Sequence, residues 1–267
     1  MLRSMYAGIS GLRGFQTKLD VIGNNIANVN TSGFKKGRVT FQDLMSQTER
    51  GAQAAQGGRG GINPMQVGLG SKIGSIDNIH TQGFLQHTGR TLDLAIEGDG
   101  FFIVNGGDGD FYTRAGNFYL DENGDIVDPN GNYLLGTVAG AENSRINIPA
   151  NAQSFSIAQD GTVNYVDEDG NPAIAGRIQL AYFSNPEGLE KIGDNLYLNT
   201  TNSGTVEFDF PGEEGLGTLA PGSLEMSNVD LAEEFTEMIV SQRGFQANTR
   251  IITTSDEILQ ELVNLKR

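Results

Sequence analysis

At 267 residues with a net charge of −15, the chain can bury a sizeable core, and its charge repels nucleic acid and anionic membranes. It has no cysteine, which excludes disulfides, thiolate metal sites and thiol nucleophiles, and no run of about 18 apolar residues, which excludes a bilayer-spanning helix. Its 37 glycines argue for many turns and β-structure rather than an all-helical protein.

Residues 1–30 carry helical periodicity. Met5, Leu12, Leu19 and Ile26 form one seven-step apolar row, and Phe15, Ile22 and Val29 a second. The propensity runs the other way. Gly8, Gly11, Gly14 and Gly23 together cost about 3–4 kcal/mol relative to alanine in a helix interior. Such a helix needs close neighbours, and the expectation is that it orders fully when copies pack together. Arg3 precedes no continuous apolar stretch, since Ser4, Gly8, Ser10 and Arg13 interrupt it, so a cleaved secretory signal is not expected.

The helical signal stops near Gly33. Lys35, Lys36 and Arg38 read as a small solvated basic cluster. Residues 31–72 are expected to be an extended connector without a core of its own, made flexible by Gly57, Gly58, Gly60 and Gly61. From residue 73 to about 222 the period changes to alternation. Leu92, Leu94 and Ile96 alternate with Asp93, Ala95 and Glu97. Asn123-Gly124, Asn130-Gly131, Asp160-Gly161 and Asp169-Gly170 punctuate short apolar runs. This predicts an antiparallel β domain, sandwich or barrel-like.

Residues 223–267 predict a second long helix. Leu231, Met238, Phe245, Ile252 and Leu259 recur every seven residues, with Ile251, Ile258 and Leu265 in a row beside them. Asp230 is placed to cap the first turn, with Glu233 and Glu234 where the helix dipole favours negative charge and Lys266 and Arg267 at the opposite end. At about 1.5 Å per residue the helix runs roughly 50–55 Å. The fold class is therefore α+β: an antiparallel β-rich domain inserted between long terminal helices that pair as a coiled-coil-like stalk.

No catalytic constellation emerges. Asp121, Asn123 and Asp125 begin like a calcium loop, but Ile126 stands at the glycine position and Asn132 at the last ligand. The set Asp167, Asp169 and Asn171 fails likewise. His80 and His87 lack zinc spacing, and no nucleophile elbow is present. Asp93 and Glu97 are expected together on a solvated strand face rather than as a glycosidase pair. Neither an enzyme nor a cofactor is expected.

The stretch Leu19-Asp20-Val21-Ile22-Gly23-Asn24-Asn25-Ile26-Ala27-Asn28-Val29-Asn30-Thr31-Ser32-Gly33-Phe34-Lys35 resembles the signature of the axial proteins of the bacterial flagellum, the rod and hook subunits. So do Leu92-Asp93-Leu94-Ala95-Ile96-Glu97-Gly98-Asp99-Gly100-Phe101-Phe102, Tyr112-Thr113-Arg114-Ala115-Gly116-Asn117-Phe118, and 227–239 with Gln242-Arg243-Gly244-Phe245. The resemblance implies an inner tube domain of paired terminal helices, an outer β domain, and helical homopolymerisation. It also implies neighbouring rod and hook–filament junction proteins as partners, an assembly cap, and export through the flagellar apparatus to the hook and basal body without a cleaved signal. Met5, Leu12, Phe15, Leu19, Ile22, Ile26, Leu231, Met238, Phe245, Ile252, Ile258 and Leu259 are the expected assembly residues. Thr88-Gly89-Arg90-Thr91-Leu92-Asp93 looks more like hook than distal-rod sequences, so the hook is the first expectation. The distal rod is the alternative, and a monomeric β-domain enzyme or lectin the reading from another class.

Overall fold

The computed structural model describes residues 2–265 apart from 55–59, 108, 139 and 214. An N-terminal helix α1 (Leu2–Ala27), a long antiparallel β region and a C-terminal helix α2 (Leu231–Asn264) make the chain α+β. It divides into two compact units. One comprises Met1–Ala27, Gly37–Asn78 and Asp230–Arg267; the other comprises Asn28–Lys36 and Ile79–Val229.

In the first unit, Gly37–Asp43 pairs antiparallel with Ser71–Asn78, and Ser46–Arg50 with Met65–Gly68. A further bridge joins Gln53 to Ile62. Residues 37–53 and 62–78 thus pair as a long two-stranded ribbon rather than an unpaired connector. Glycine and serine on α1 let it dock. Phe41 lies 5.9 Å from Phe15, and its ring fills the space a side chain at Gly14 would need. Ser10 Oγ accepts from the Ser71 amide at 3.3 Å. Gly60 is exposed with open space around it. Gly61 is exposed too, while Gly57 and Gly58 lie outside the described residues.

The second unit is a branched antiparallel sheet whose main path runs Ser154–Ile157, Thr162–Val166, Pro172–Ile178, Tyr133–Val138, Phe101–Asn105, Asp110–Thr113, Leu196–Leu198 and Glu190–Gly193. Successive strand side chains point to opposite faces, so Phe102 and Val104 join one core cluster while Phe101 and Ile103 join another. Burial on both faces explains why 101–104 is an unbroken apolar run. The turn signals hold: Gly124, Gly131, Gly161 and Gly170 all have φ between +80° and +86°. Tyr119–Leu120 and Ile126–Val127 form the hairpin that Asn123-Gly124 predicts.

The boundaries differ from the sequence expectation at both ends of this unit. Residues 28–36 belong to the β body, while the strand Ser71–Asn78 belongs with the helices. The physical reason is a buried ion pair that fastens Lys35 inside the β body.

Candidate functional site, an assembly surface

Helix α2 starts where the capping pattern predicts. The Asp230 side chain accepts from the amides of Ala232 and Glu233, with Glu233 and Glu234 in the first turn. Lys266 and Arg267 lie outside the described residues. The two helices meet at their glycines. A Cβ on Gly8 would stand 3.3 Å from Ile252, one on Gly11 2.8 Å from the Asn248 amide, and one on Gly244 2.6 Å from the Phe15 ring. Three residues with no side chain let the backbones approach this closely.

The seam is more polar than the seven-step rows suggest. The buried residues of α2 are Glu234, Ser241 and Ser255. Asn25, 2% exposed, donates to Glu234 at 3.2 Å and to the Gly37 carbonyl at 2.9 Å, and accepts from the Gly37 amide. Lys18 pairs with Glu237 at 2.6 Å. Of the expected assembly residues, Ile22 is buried, and Met5, Leu12, Phe15, Leu19, Ile26, Met238, Ile252 and Leu259 are half-buried. Leu231, Phe245 and Ile258 are exposed, at 40, 36 and 48%.

Exposed apolar side chains on α2 form two further groups. Leu231, Phe235 and Ile239 lie along one flank of the N-terminal half. Val240, Ile251, Ile258, Leu262 and Leu265 lie along the other flank. A helix whose apolar residues extend past its intramolecular seam on both sides has surface left for other molecules.

The β body holds a second cluster that sequence reasoning missed. Lys35 is 1% exposed, not solvated. Its Nζ donates to Glu225 Oε1 at 2.6 Å and to the Thr81 carbonyl at 2.8 Å. Glu225 also accepts from the Gly83 amide at 2.9 Å and from Arg114 Nη1 at 3.4 Å, and Arg114 donates to the Gly98 carbonyl at 2.9 Å. Burial lowers the pKa of both Lys35 and Arg114, and Glu225 opposes that shift in each. His80 packs edge-on to Phe101 and tilted against Tyr197, at 5.7 and 5.5 Å, and its pKa falls to about 4 through burial and then through Lys35, Lys191 and Arg114. The signal available in the sequence was the family stretch ending at Lys35; nothing in its spacing pointed to Glu225.

Asp93 also departs from expectation. It is 6% exposed, accepting from Thr88 Oγ1 at 2.7 Å and Arg90 Nη1 at 3.4 Å, while Glu97 is exposed, so the two share no solvated face. Hydrogen bonds take up the acidic turns: Asp128 accepts from the amides of Asn130 and Asn132, and Asp125 from the distant Asn147 side chain. Among the described residues no three His, Cys, Asp or Glu side chains converge as a metal site, and no helix is long and apolar enough to cross a membrane. The cavity beside His80, Arg114, Asp99 and Ser184 has a volume of about 120 Å³, below the roughly 300 Å³ where ligand pockets begin.

Three family profiles match in chain order. Residues 5–35 match the flagella basal body rod protein family, 95–165 the flagellar hook protein FlgE/F/G D1 domain, and 220–265 the flagellar basal body rod FlgEFG protein C-terminal region. The chain is 60% identical over 268 aligned positions to the flagellar basal-body rod protein FlgG of Bacillus subtilis (strain 168), covering all of both chains. It belongs to the flagellar rod and hook axial family.

Other members extend the comparison. The flagellar basal-body rod protein FlgG of Borreliella burgdorferi is 40% identical over 271 positions, covering all of both chains. The flagellar hook protein FlgE of the same organism is 32% identical over 441 positions, again covering all of both. Rod and hook axial proteins are structural parts of the flagellum and not enzymes. The assembly reading therefore fits the exposed flanks of α2, and the enzyme or lectin reading falls away.

Proposed function

We propose that this chain is the distal rod subunit of the flagellar basal body, which polymerises into a rigid helical tube through its terminal helices. The observation that carries this reading is its 60% identity with a FlgG rod protein over the full length of both chains. Borreliella supplies a comparison within one organism, where its rod protein is 40% identical and its hook protein 32% over a far longer alignment. This favours the rod over the hook, reversing the preference drawn from Thr88-Gly89-Arg90-Thr91-Leu92-Asp93.

In the tube, α1 and α2 pair as a coiled-coil-like stalk, and the exposed residues Leu231, Phe245 and Ile258 meet sister copies. The half-buried row Met5, Leu12, Phe15, Leu19, Ile26, Met238, Ile252 and Leu259, with buried Ile22, holds the pair together. The helices are incompletely ordered in the free chain and set on assembly. Rod and hook–filament junction proteins are its neighbours, and the flagellar export apparatus and an assembly cap deliver it. The glycines Gly57, Gly58, Gly60 and Gly61 give the connector its flexibility.

Deleting the gene is the direct test. Loss of a distal rod subunit leaves basal bodies with a truncated rod and no hook, whereas loss of a hook subunit leaves rods complete. Electron microscopy of isolated basal bodies separates the two, and complete rods in the deletion strain would overturn the proposal.

A further inference from the structure

Arg114 has more donors than the β body uses. It is 3% exposed, and among the described residues it hydrogen-bonds through Nη1 alone, to the Gly98 carbonyl and to Glu225. Its buried Nε has no partner. Nε and Nη2 form the second edge of the guanidinium, the geometry that grips a carboxylate with two parallel bonds. Both Arg114 and His80 line one cavity, walled also by Asp99 and Ser184, and the Arg114 guanidinium lies 5.2 Å from the centre of the Phe101 ring on the same wall. Neither ring nitrogen of His80 is partnered. Buried donors in native proteins are nearly always bonded, so a spare guanidinium edge beside a cavity needs an acceptor there.

The charges around the cavity select that acceptor. Lys35, Lys191 and Arg114 all act on His80 as positive neighbours. Glu225 is committed to Lys35 and Arg114, and Asp99 is exposed and forms no ion pair among the described residues. Tyr197, its pKa raised by burial, stays neutral, and Tyr182 is half-buried beside it on the cavity wall. Three cations against two carboxylates leave one positive charge over. A volume of about 120 Å³ is too small for an ordinary organic ligand and admits an anion of a few heavy atoms. We propose that this cavity is a binding site for a small monocarboxylate of the formate or acetate class, gripped by the Nε–Nη2 edge of Arg114 with Ser184 and the His80 ring beside it. Inorganic phosphate is rejected, because a single positive charge is spare and Asp99 repels a second negative one. Such an anion links stretches far apart in the chain and stabilises the β body by mass action, with or without polymerisation.

The full-length chain is titrated with sodium formate at constant ionic strength. Sodium gluconate, a monocarboxylate too large for the cavity, and inorganic phosphate are the comparisons. Formate should raise the melting temperature saturably and lift the His80 pKa, read from its imidazole resonances, from about 4 to about 5 or above, while the exposed His87 does not move. Gluconate and phosphate should do neither. Asp99→Asn, at an exposed position, should tighten formate binding about threefold or more. Ser184→Asp, also exposed, tethers a carboxylate at the site and should raise the His80 pKa by itself and abolish the formate response. Formate that acts no differently from gluconate, or that leaves His80 unmoved, overturns the site. Formate effective in Asp99→Asn but not in the wild type shows Asp99 itself on the guanidinium edge and also overturns it. Phosphate acting in place of formate overturns the monocarboxylate. Formate that depletes sedimentable polymer assigns the acceptor to a carboxylate side chain of a sister copy and overturns the free acid. None of these outcomes bears on the rod reading, which the deletion strain tests.

Discussion

Glu225 sits at the centre of the buried ion cluster of the β body. Its carboxylate lies between Lys35 and Arg114 and accepts the Gly83 amide. Taking it away strands two cations in a buried site. We expect Glu225→Ala to destabilise the β body by about 3–5 kcal/mol in urea unfolding, whereas replacing an exposed charge such as Glu190 changes little. His80 reports the same surroundings through pH. Its folded pKa, about 4, lies below the ordinary 6.5. The unfolded chain therefore binds the proton first as pH drops, and stability contributed by the neutral imidazole is present above about 6.5 and lost as pH falls towards 4. The full shift corresponds to about 3 kcal/mol. Unfolding midpoints from pH 7 to pH 4 should fall less steeply in His80→Gln than in the wild type.

Glycines on the helices do opposite things according to what faces them. A Cβ on Gly244 would press into the Phe15 ring at 2.6 Å, so Gly244→Ala should overpack the seam and cost about 1–3 kcal/mol, with Phe15→Leu recovering part of it. Gly23 meets nothing within 4 Å, and Gly23→Ala should raise helix stability by up to about 1 kcal/mol. Thermal melts followed by circular dichroism compare the two. The helix boundaries follow from local chemistry, with Asp230 capping α2 as its neighbours require. The ribbon was harder to read because Ser46–Arg50 and Met65–Gly68 are almost wholly exposed, with no buried face to impose alternation. Its order comes from cross-strand pairing and from Phe41 seated against Gly14 and Phe15.

The chain enters and leaves its two units several times, and the bounds of the β body follow from which residues the ion cluster holds. Gly37 and Asn78 are register partners, and the Ile79 amide bonds the Lys36 carbonyl at 2.9 Å. A short Asn-Gly turn can therefore replace residues 38–77. A chain of 28–37, that turn and 78–229 should fold as a soluble monomer with a cooperative melt. The span 73–222 lacks both Lys35 and Glu225 and should not. If the longer fragment polymerises without the terminal helices, assembly through those helices is refuted; analytical ultracentrifugation reads this directly.

Periodicity, turn glycines and caps are properties of short stretches, so the α+β class, the two terminal helices, the antiparallel strands and the axial-family signature were all readable from the chain alone. Burial of charge is not a local property. Lys35 looks like any surface lysine until a residue 190 positions away closes on it, as the Lys35–Glu225 bond does. The same holds for Glu234, Ser241 and Ser255, polar residues of α2 that only the fold buries, Glu234 beside Asn25. Only folding brings such partners together, because the free energy that keeps a polar group inside depends on who stands beside it.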